Sequence, residues 1–156
     1  MILRGEAMRN IGPNGLALIK RFEGFSSTVY ICPSGWPTIG YGHVVTLKER
    51  QRQQFAKGIT AHQAEALLRQ DAQTAERAVL RLITVPLTDG QFDALVSFTF
   101  NLGSAALQRS TLRQKINRNE HFDVPAELLK WVWAGGRKLP GLVARRAAEG
   151  ALYWES

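Results

Sequence analysis

Residues 23–43 read EGFSSTVYICPSGWPTIGYGH, a stretch that interrupts otherwise helical sequence. Its β-branched and aromatic pieces, TVYI and TIGY, are punctuated by Pro33, Gly35, Pro37, Gly40 and Gly42, a pattern that predicts a small antiparallel hairpin over residues 28–45. Upstream, Leu16, Ile19 and Phe22 recur on one face of a helix with Asn14 as its expected N-cap and an end near residues 23–25. Glu23 is thereby placed at a helix terminus. Downstream, Thr60 with Gln63 makes a capping-box pattern opening a long helix to about Ile83, which Pro86 prevents from continuing. Its apolar stripe is Ala64, Leu68, Ala75, Val79 and Leu82. Thr88 with Gln91 repeats the capping pattern before FDALVSFTF, which is apolar nearly all round and predicts a central buried helix. Further helices are expected from Ser110 to Asn117, over 125–134, and from Leu142 to Tyr153 after the Gly135–Gly136 break. Helix, hairpin, then many helices is an α+β order with segregated lobes, predominantly α-helical.

At 156 residues and 45% apolar content, the chain can bury about two-thirds of its unfolded surface in one core, which implies a single domain. No run approaches the roughly 20 apolar residues of a membrane-spanning helix. The first fifteen residues, MILRGEAMRNIGPNG, carry charges at Arg4, Glu6 and Arg9 and lack the apolar core of a secretory signal, so synthesis in the cytoplasm is expected. One cysteine excludes an internal disulfide, and three scattered histidines add no ligand cluster; neither a metal site nor a cofactor is expected. Twenty Lys and Arg against thirteen Asp and Glu give a net charge of +7, which draws the molecule to polyanions. Nucleic-acid motifs are missing and the basic residues are dispersed over several helices, so no nucleic-acid partner is expected.

The chemistry of the opening stretch rests on three side chains. A carboxylate at the end of an amphipathic helix, beside Phe22 and a turn from Ile19, is partly desolvated, which would raise the Glu23 pKa toward the general-acid range. Cys32 and His43 also suggest a thiol peptidase or amidase, in which an imidazole activates a thiolate. Taken singly, a terminal Glu, a buried Cys and a hydrogen-bonded His are each ordinary. Trp131 and Trp133, two apart on the expected helix, cannot both face the same way, so at least one belongs to the core.

The combination is more specific than its members. Glu23, eight residues, Cys32, five residues and Thr38, followed by TIGYGH, resembles the catalytic signature of the phage-type lysozymes, the glycoside hydrolase family 24 endolysins. The resemblance continues through ITAHQAEALLRQD at 59–71, VPLTDGQFDALVSFTFNLG at 85–103, STLRQKIN at 110–117 and WVWAGGRKLPGLVARRAAEGALY at 131–153. It implies a lysozyme-like fold with an N-terminal extension (1–11), a small lobe (about 12–59), a helical lobe (about 60–156) and a groove between lobes. By the same resemblance the acid falls on Glu23, the second catalytic position, usually Asp in the family, on Cys32, and the water-orienting threonine on Thr38. Asn101 matches a groove-lining amide suited to N-acetyl groups; its alternative role is a helix C-cap before Gly103. The implied reaction is hydrolysis of the β-1,4 bond between N-acetylmuramic acid and N-acetylglucosamine with inversion. Bacterial peptidoglycan is then the partner, reached through a holin or another pore, and the enzyme is expected to be a monomer that lyses the host cell. A lytic transglycosylase, which also uses one Glu, and a noncatalytic wall-binding module are the rival readings.

Two further expectations concern electrostatics. Asp71 sits in the apolar stripe of the long helix and needs a partner, which predicts a structural His43–Asp71 ion pair linking the lobes, with the His pKa raised and the Asp pKa lowered. The Cys32 thiol, with a reference pKa of about 8.5 and Glu23 nearby to push it upward, is expected to be largely neutral at pH 7.

Overall fold

The N–H groups that open the long helix are satisfied by its own sequence: Gln63 N donates to Thr60 Oγ1 at 3.1 Å and Thr60 N to Gln63 Oε1 at 2.8 Å. Such a reciprocal cap stabilises a helix start by about 1 kcal/mol. The computed structural model describes residues 9–155, so most of the expected extension over 1–11 lies outside the described residues. In chain order, α1 is Pro13–Glu23, β1 Ser26–Ile31, β2 Pro37–Gly40, β3 His43–Val44, α2 Leu47–Gln51 and α3 the long helix Ala61–Leu82. There follow α4 Asp89–Leu102, α5 Ser104–Arg109, α6 Thr111–Asn117, a 3-10 turn His121–Asp123, α7 Val124–Leu128, β4 Trp133–Ala134, β5 Arg137–Lys138 and α8 Pro140–Tyr153.

The chain divides into two compact units, Ile19–Asp71 and Met1–Leu18 with Ala72–Ser156. The expected change of lobe near residue 59 therefore falls at residue 71, inside α3, because the first three turns of this helix pack with the sheet-bearing unit.

In the unit Ile19–Asp71, β1, β2 and β3 form an antiparallel sheet in that order. Tyr30 pairs with Thr38 and Ile31 with Pro37, while Thr38 pairs with Val44 and Ile39 with His43. The expected hairpin thus gains a third strand. Ile39, Val45 and Phe55 are its buried core, with Ile59 and Leu67 packed against them. Gly40 allows the sheet to close on α3, since a Cβ there would meet Ala64 Cβ at 3.2 Å. Helix α2 follows directly, opened by a capping box between Thr46 and Glu49.

In the other unit α4 is central: Phe92, Ala94, Leu95, Val96 and Phe98 are all buried. Thr88 and Gln91 cap it as their spacing predicts. The start of α1 differs from expectation. The helix begins at Pro13, and its cap comes from a distant side chain: Asp93 accepts from Gly12 N at 3.0 Å and from Gly15 N at 3.2 Å. Asn14 is inside the helix and is not its cap. The segment 125–134 also departs from the expected helix. Helix α7 stops at Leu128, and Trp133 pairs with Lys138 across a β-hairpin turned by Gly135 and Gly136, both at positive φ. Two successive left-handed residues favour a hairpin turn over helix propagation. Trp131 accordingly packs edge-on against Phe98 at 5.6 Å, while Trp133 is 62% exposed.

Candidate active site

Glu23 is the last residue of α1, and Gly24, at φ 74°, ends the helix while its N–H still bonds the Lys20 carbonyl at 2.9 Å. The half-buried carboxylate comes to rest against the β2–β3 turn. A Cβ on Gly42 would lie 2.8 Å from Glu23 Oε1, so the missing side chain at 42 is what admits the carboxyl group. Neighbouring contacts fix this corner: the Phe25 and Tyr41 rings lie 5.4 Å apart, Lys20 Nζ sits 5.4 Å from the Tyr41 ring centre, and Lys20 pairs with Glu65.

Cys32 ends the stretch that follows β1, and its N–H donates to the Trp36 carbonyl at 2.9 Å, closing the turn. Its sulfur lies 2.9 Å from Ser34 Oγ. Thr38, on β2 and 2% exposed, has one hydroxyl proton and two acceptors within reach, the Trp36 carbonyl at 3.0 Å and the Cys32 sulfur. The expectation of a neutral thiol is corrected here. Hydrogen bonds from the Ser34 hydroxyl, then the Thr38 hydroxyl and the Trp36 backbone, bring the Cys32 thiol down to about 7. Roughly half of it is thiolate at neutral pH. Sequence reasoning weighed the carboxylate of Glu23 and missed Ser34, although a serine two residues past the cysteine in a Pro-Ser-Gly turn was a legible donor.

His43 does not activate this cysteine. Its Nδ1 is 2.8 Å from Asp71 Oδ2 and its Nε2 is 3.0 Å from Glu49 Oε1, so both ring nitrogens are held by carboxylates. With no imidazole nitrogen left to serve as a base, the thiol-peptidase reading loses its dyad. Both His43 and Asp71 belong to the unit Ile19–Asp71, so the pair braces β3 against α3 within that unit and does not link two lobes. Glu49 is the partner that the sequence reading overlooked. Its signal was present as Thr46-Leu-Lys-Glu49, a capping box that brings the glutamate back over the turn occupied by His43.

The protonation of this triad follows from its partners. The Asp71 hydrogen bond, aided by Glu49 and opposed by burial, raises His43 to about 9. Burial pushes the Glu49 carboxyl up, but the Thr46 backbone and His43 outweigh it and hold Glu49 below the ordinary value. The raised histidine contributes stability that is complete below about pH 6.5 and lost as pH rises through about 9. The depressed glutamate contributes stability present above its unfolded pKa of about 4.3 and lost as pH falls through its folded value. We therefore expect His43→Gln to lower stability by on the order of 3 kcal/mol near pH 6, roughly 5–10 °C in Tm, with the difference from the parent narrowing toward pH 9.5. Thermal melts at the two pH values check this; an equal difference at both would remove the protonated histidine as its cause.

Asn101 lies in the last turn of α4, in the other unit, and the helix is terminated by Gly103 at φ 93°. Its side chain does not cap the helix, because Oδ1 accepts from Arg146 Nη2 at 2.8 Å. That bond fixes the amide orientation and leaves Nδ2 as the donor the residue can offer elsewhere. Among the described residues no three His, Cys, Asp or Glu side chains converge as a metal-ligand set, and no helix is long and apolar enough to cross a membrane.

Residues 20–149 match the phage lysozyme family model. The chain is 41% identical over 148 residues to the endolysin of Acyrthosiphon pisum secondary endosymbiont phage 1, covering 92% of this chain and 97% of that one. It is 40% identical over 146 residues to the endolysin of Bacillus phage B103, covering 92% of this chain and 54% of the relative, so it spans about half that relative's length. Among solved structures, the muramidase domain of SpmX from Asticaccaulis excentricus superposes with a TM-score of 0.80 at 34% identity, over 95% of this chain and 100% of that one. With Glu23, Cys32, Thr38, His43, Asp71 and Asn101 all inside the matched span, the chain belongs to the phage lysozyme family.

Proposed function

We propose that the chain is a peptidoglycan hydrolase of the lysozyme type, cleaving the β-1,4 bond between N-acetylmuramic acid and N-acetylglucosamine. The observation that carries this is the seating of Glu23 against the Gly42 turn of the same three-stranded sheet on which Cys32 and Thr38 meet. Glycosidic cleavage needs one group that protonates the leaving oxygen and another that activates or stabilises attack at the anomeric carbon. Glu23 donates the proton. A water held between the Cys32 thiolate and the Thr38 oxygen lone pairs loses its own proton to sulfur as it attacks the opposite face of the sugar. The net charge of +7 favours approach to an anionic wall polymer. Asn101 Nδ2 would donate to an N-acetyl carbonyl. The role is that of an endolysin acting as a monomer on the wall of its host, which it reaches through a holin or another pore.

A lytic transglycosylase would need no activated water, so the thiol brought down to about 7 supports hydrolysis over that alternative. Clearing of purified murein, with mass spectrometry of the fragments, tests the reading: reducing muramic ends are expected, and anhydromuramic ends would replace it with the transglycosylase. If the thiolate is the water's base, the parent's kcat relative to that of an active Cys32→Asp variant should climb by roughly tenfold from pH 6 to pH 8 as Cys32 ionises, because the two share the same Glu23 acid. Cys32→Ala is expected to lose about 100-fold. Full lysis after stoichiometric alkylation of Cys32 would reduce the thiol to a packing residue.

A further inference from the structure

In the unit that contains α4, the C-terminal half of α3 and the segment after it enclose a concave site of about 590 Å³. That is inside the range of about 300–1,000 Å³ typical of small-molecule pockets. Its walls are Leu80, Val85 and Leu87, and its rim carries three guanidinium groups, Arg9, Arg77 and Arg81. The segment is shaped by Pro86, which cannot continue the helix. It is also held firmly: Arg113 Nε and Asn117 Nδ2 both donate to the Leu82 carbonyl at 3.0 Å, and Thr84 N donates to Asn117 Oδ1 at 2.8 Å. The site is therefore preformed on a braced helix end.

The rim is unbalanced in charge. Arg9 is fixed 4.6 Å over the Phe92 ring and bonds Asp89 at 3.0 Å, so its charge is partly matched. Arg77 and Arg81 are exposed, stand one helical turn apart, and have no acidic partner among the described residues. Like charges at that spacing repel, and an anion between them would relieve the repulsion. Cations at the rim of an apolar hollow select a ligand with both an anionic head and an apolar tail.

We infer that this groove binds a phosphate-headed, single-chain amphiphile, with the phosphate between Arg77 and Arg81 and the alkyl chain along Leu80, Val85 and Leu87. The occupant is lipid in chemistry and not free phosphate. None of these side chains has a role in the glycosidic chemistry, so the site stands whether or not the hydrolase reading does.

Titration calorimetry of the full chain with decyl phosphate, kept below its micelle concentration, should give one site with Kd on the order of 0.1 mM. Inorganic phosphate and decyl maltoside should each bind at least about tenfold more weakly, because each lacks one half of the pairing. Arg77→Glu/Arg81→Glu should lose at least about tenfold in affinity, Arg77→Lys/Arg81→Lys should retain most of it, and both should keep the parent's circular dichroism and murein clearing. Equal binding of inorganic phosphate, equal binding of the maltoside, unchanged affinity in the double Glu variant, or no heat with decyl phosphate at several times the expected Kd would each overturn the assignment. Dimers in sedimentation that the double Glu exchange dissociates would give the groove to a second copy of the chain and overturn it as well.

Discussion

Glu23→Gln should abolish murein clearing while leaving the circular dichroism spectrum and Tm unchanged within error. The carboxamide matches the carboxyl group in size and still fits beside Gly42, where the nearest glutamate oxygen is 2.8 Å from the position a Cβ would occupy. What it cannot do is give up a proton to the leaving oxygen. General-acid catalysis of this kind contributes about 10²–10⁴-fold, and glycoside cleavage depends on it more than most reactions because an alkoxide is a poor leaving group. Activity surviving at more than a few per cent of the parent's rate would remove Glu23 as the acid. A companion variant separates position from chemistry. Gly42→Ala keeps the carboxyl group but forces it aside and imposes a side chain at φ 82°, so it should lower kcat by about tenfold or more with only a modest fall in Tm. If Gly42→Ala were fully active, the seat against the turn would not be the catalytic position.

What the sequence disclosed follows from how local each signal is. Thr60–Gln63 and Thr88–Gln91 were legible as caps because both partners sit within four residues, and each makes its reciprocal bonds. The stripe from Ala64 to Leu82 was legible because one helix face has one period, and all five of its residues are buried. The β-branched pieces of residues 28–45 were legible as a hairpin, and its pairing brings Thr38 within hydrogen-bond reach of Cys32. Misreadings arose where the deciding partner is distant or where glycine overrides apolar pattern. Asn14 offered a local cap, yet Asp93, remote in sequence, reaches the helix start first. Residues 125–134 carry helical apolar spacing, but Gly135 and Gly136 turn the chain back on itself and pull Trp133 into a strand. The thiol was misjudged because its ionisation depends on two hydroxyls, one on a turn and one across the sheet, whose orientation no periodicity reports.

The least legible feature carries the largest expected effect on stability. RRAAEGALY belongs to the last helix that the sequence predicts, and nothing in its spacing reports that Arg145 is 3% exposed and that Arg146 and Glu149 are fully buried. Arg146 Nε lies 2.7 Å from Glu149 Oε1 and its Nη2 lies 3.0 Å from Oε2, while Ser97 Oγ donates to Oε2 at 2.6 Å. Burial pushes the Glu149 carboxyl up, and Arg146 opposes this; burial likewise pulls Arg146 below its ordinary value. Two guanidinium groups are thus held beside one carboxylate in the core of this unit, with the Arg146 plane 5.2 Å from the Phe98 ring centre. Glu149→Gln removes the carboxylate that neutralises Arg146 and should cost about 3–5 kcal/mol, roughly 10–15 °C in Tm. Desolvating the ions opposes folding even when they are paired, which makes the paired exchange Arg146→Met/Glu149→Leu the deciding comparison. That variant should recover part of the lost stability, because it removes the Arg146 charge together with its partner, while Arg145 remains. Thermal melts of the parent, Glu149→Gln and the double variant measure this directly. If the double variant were no more stable than Glu149→Gln, the loss would come from packing volume, and the buried ions would not be the source of the effect.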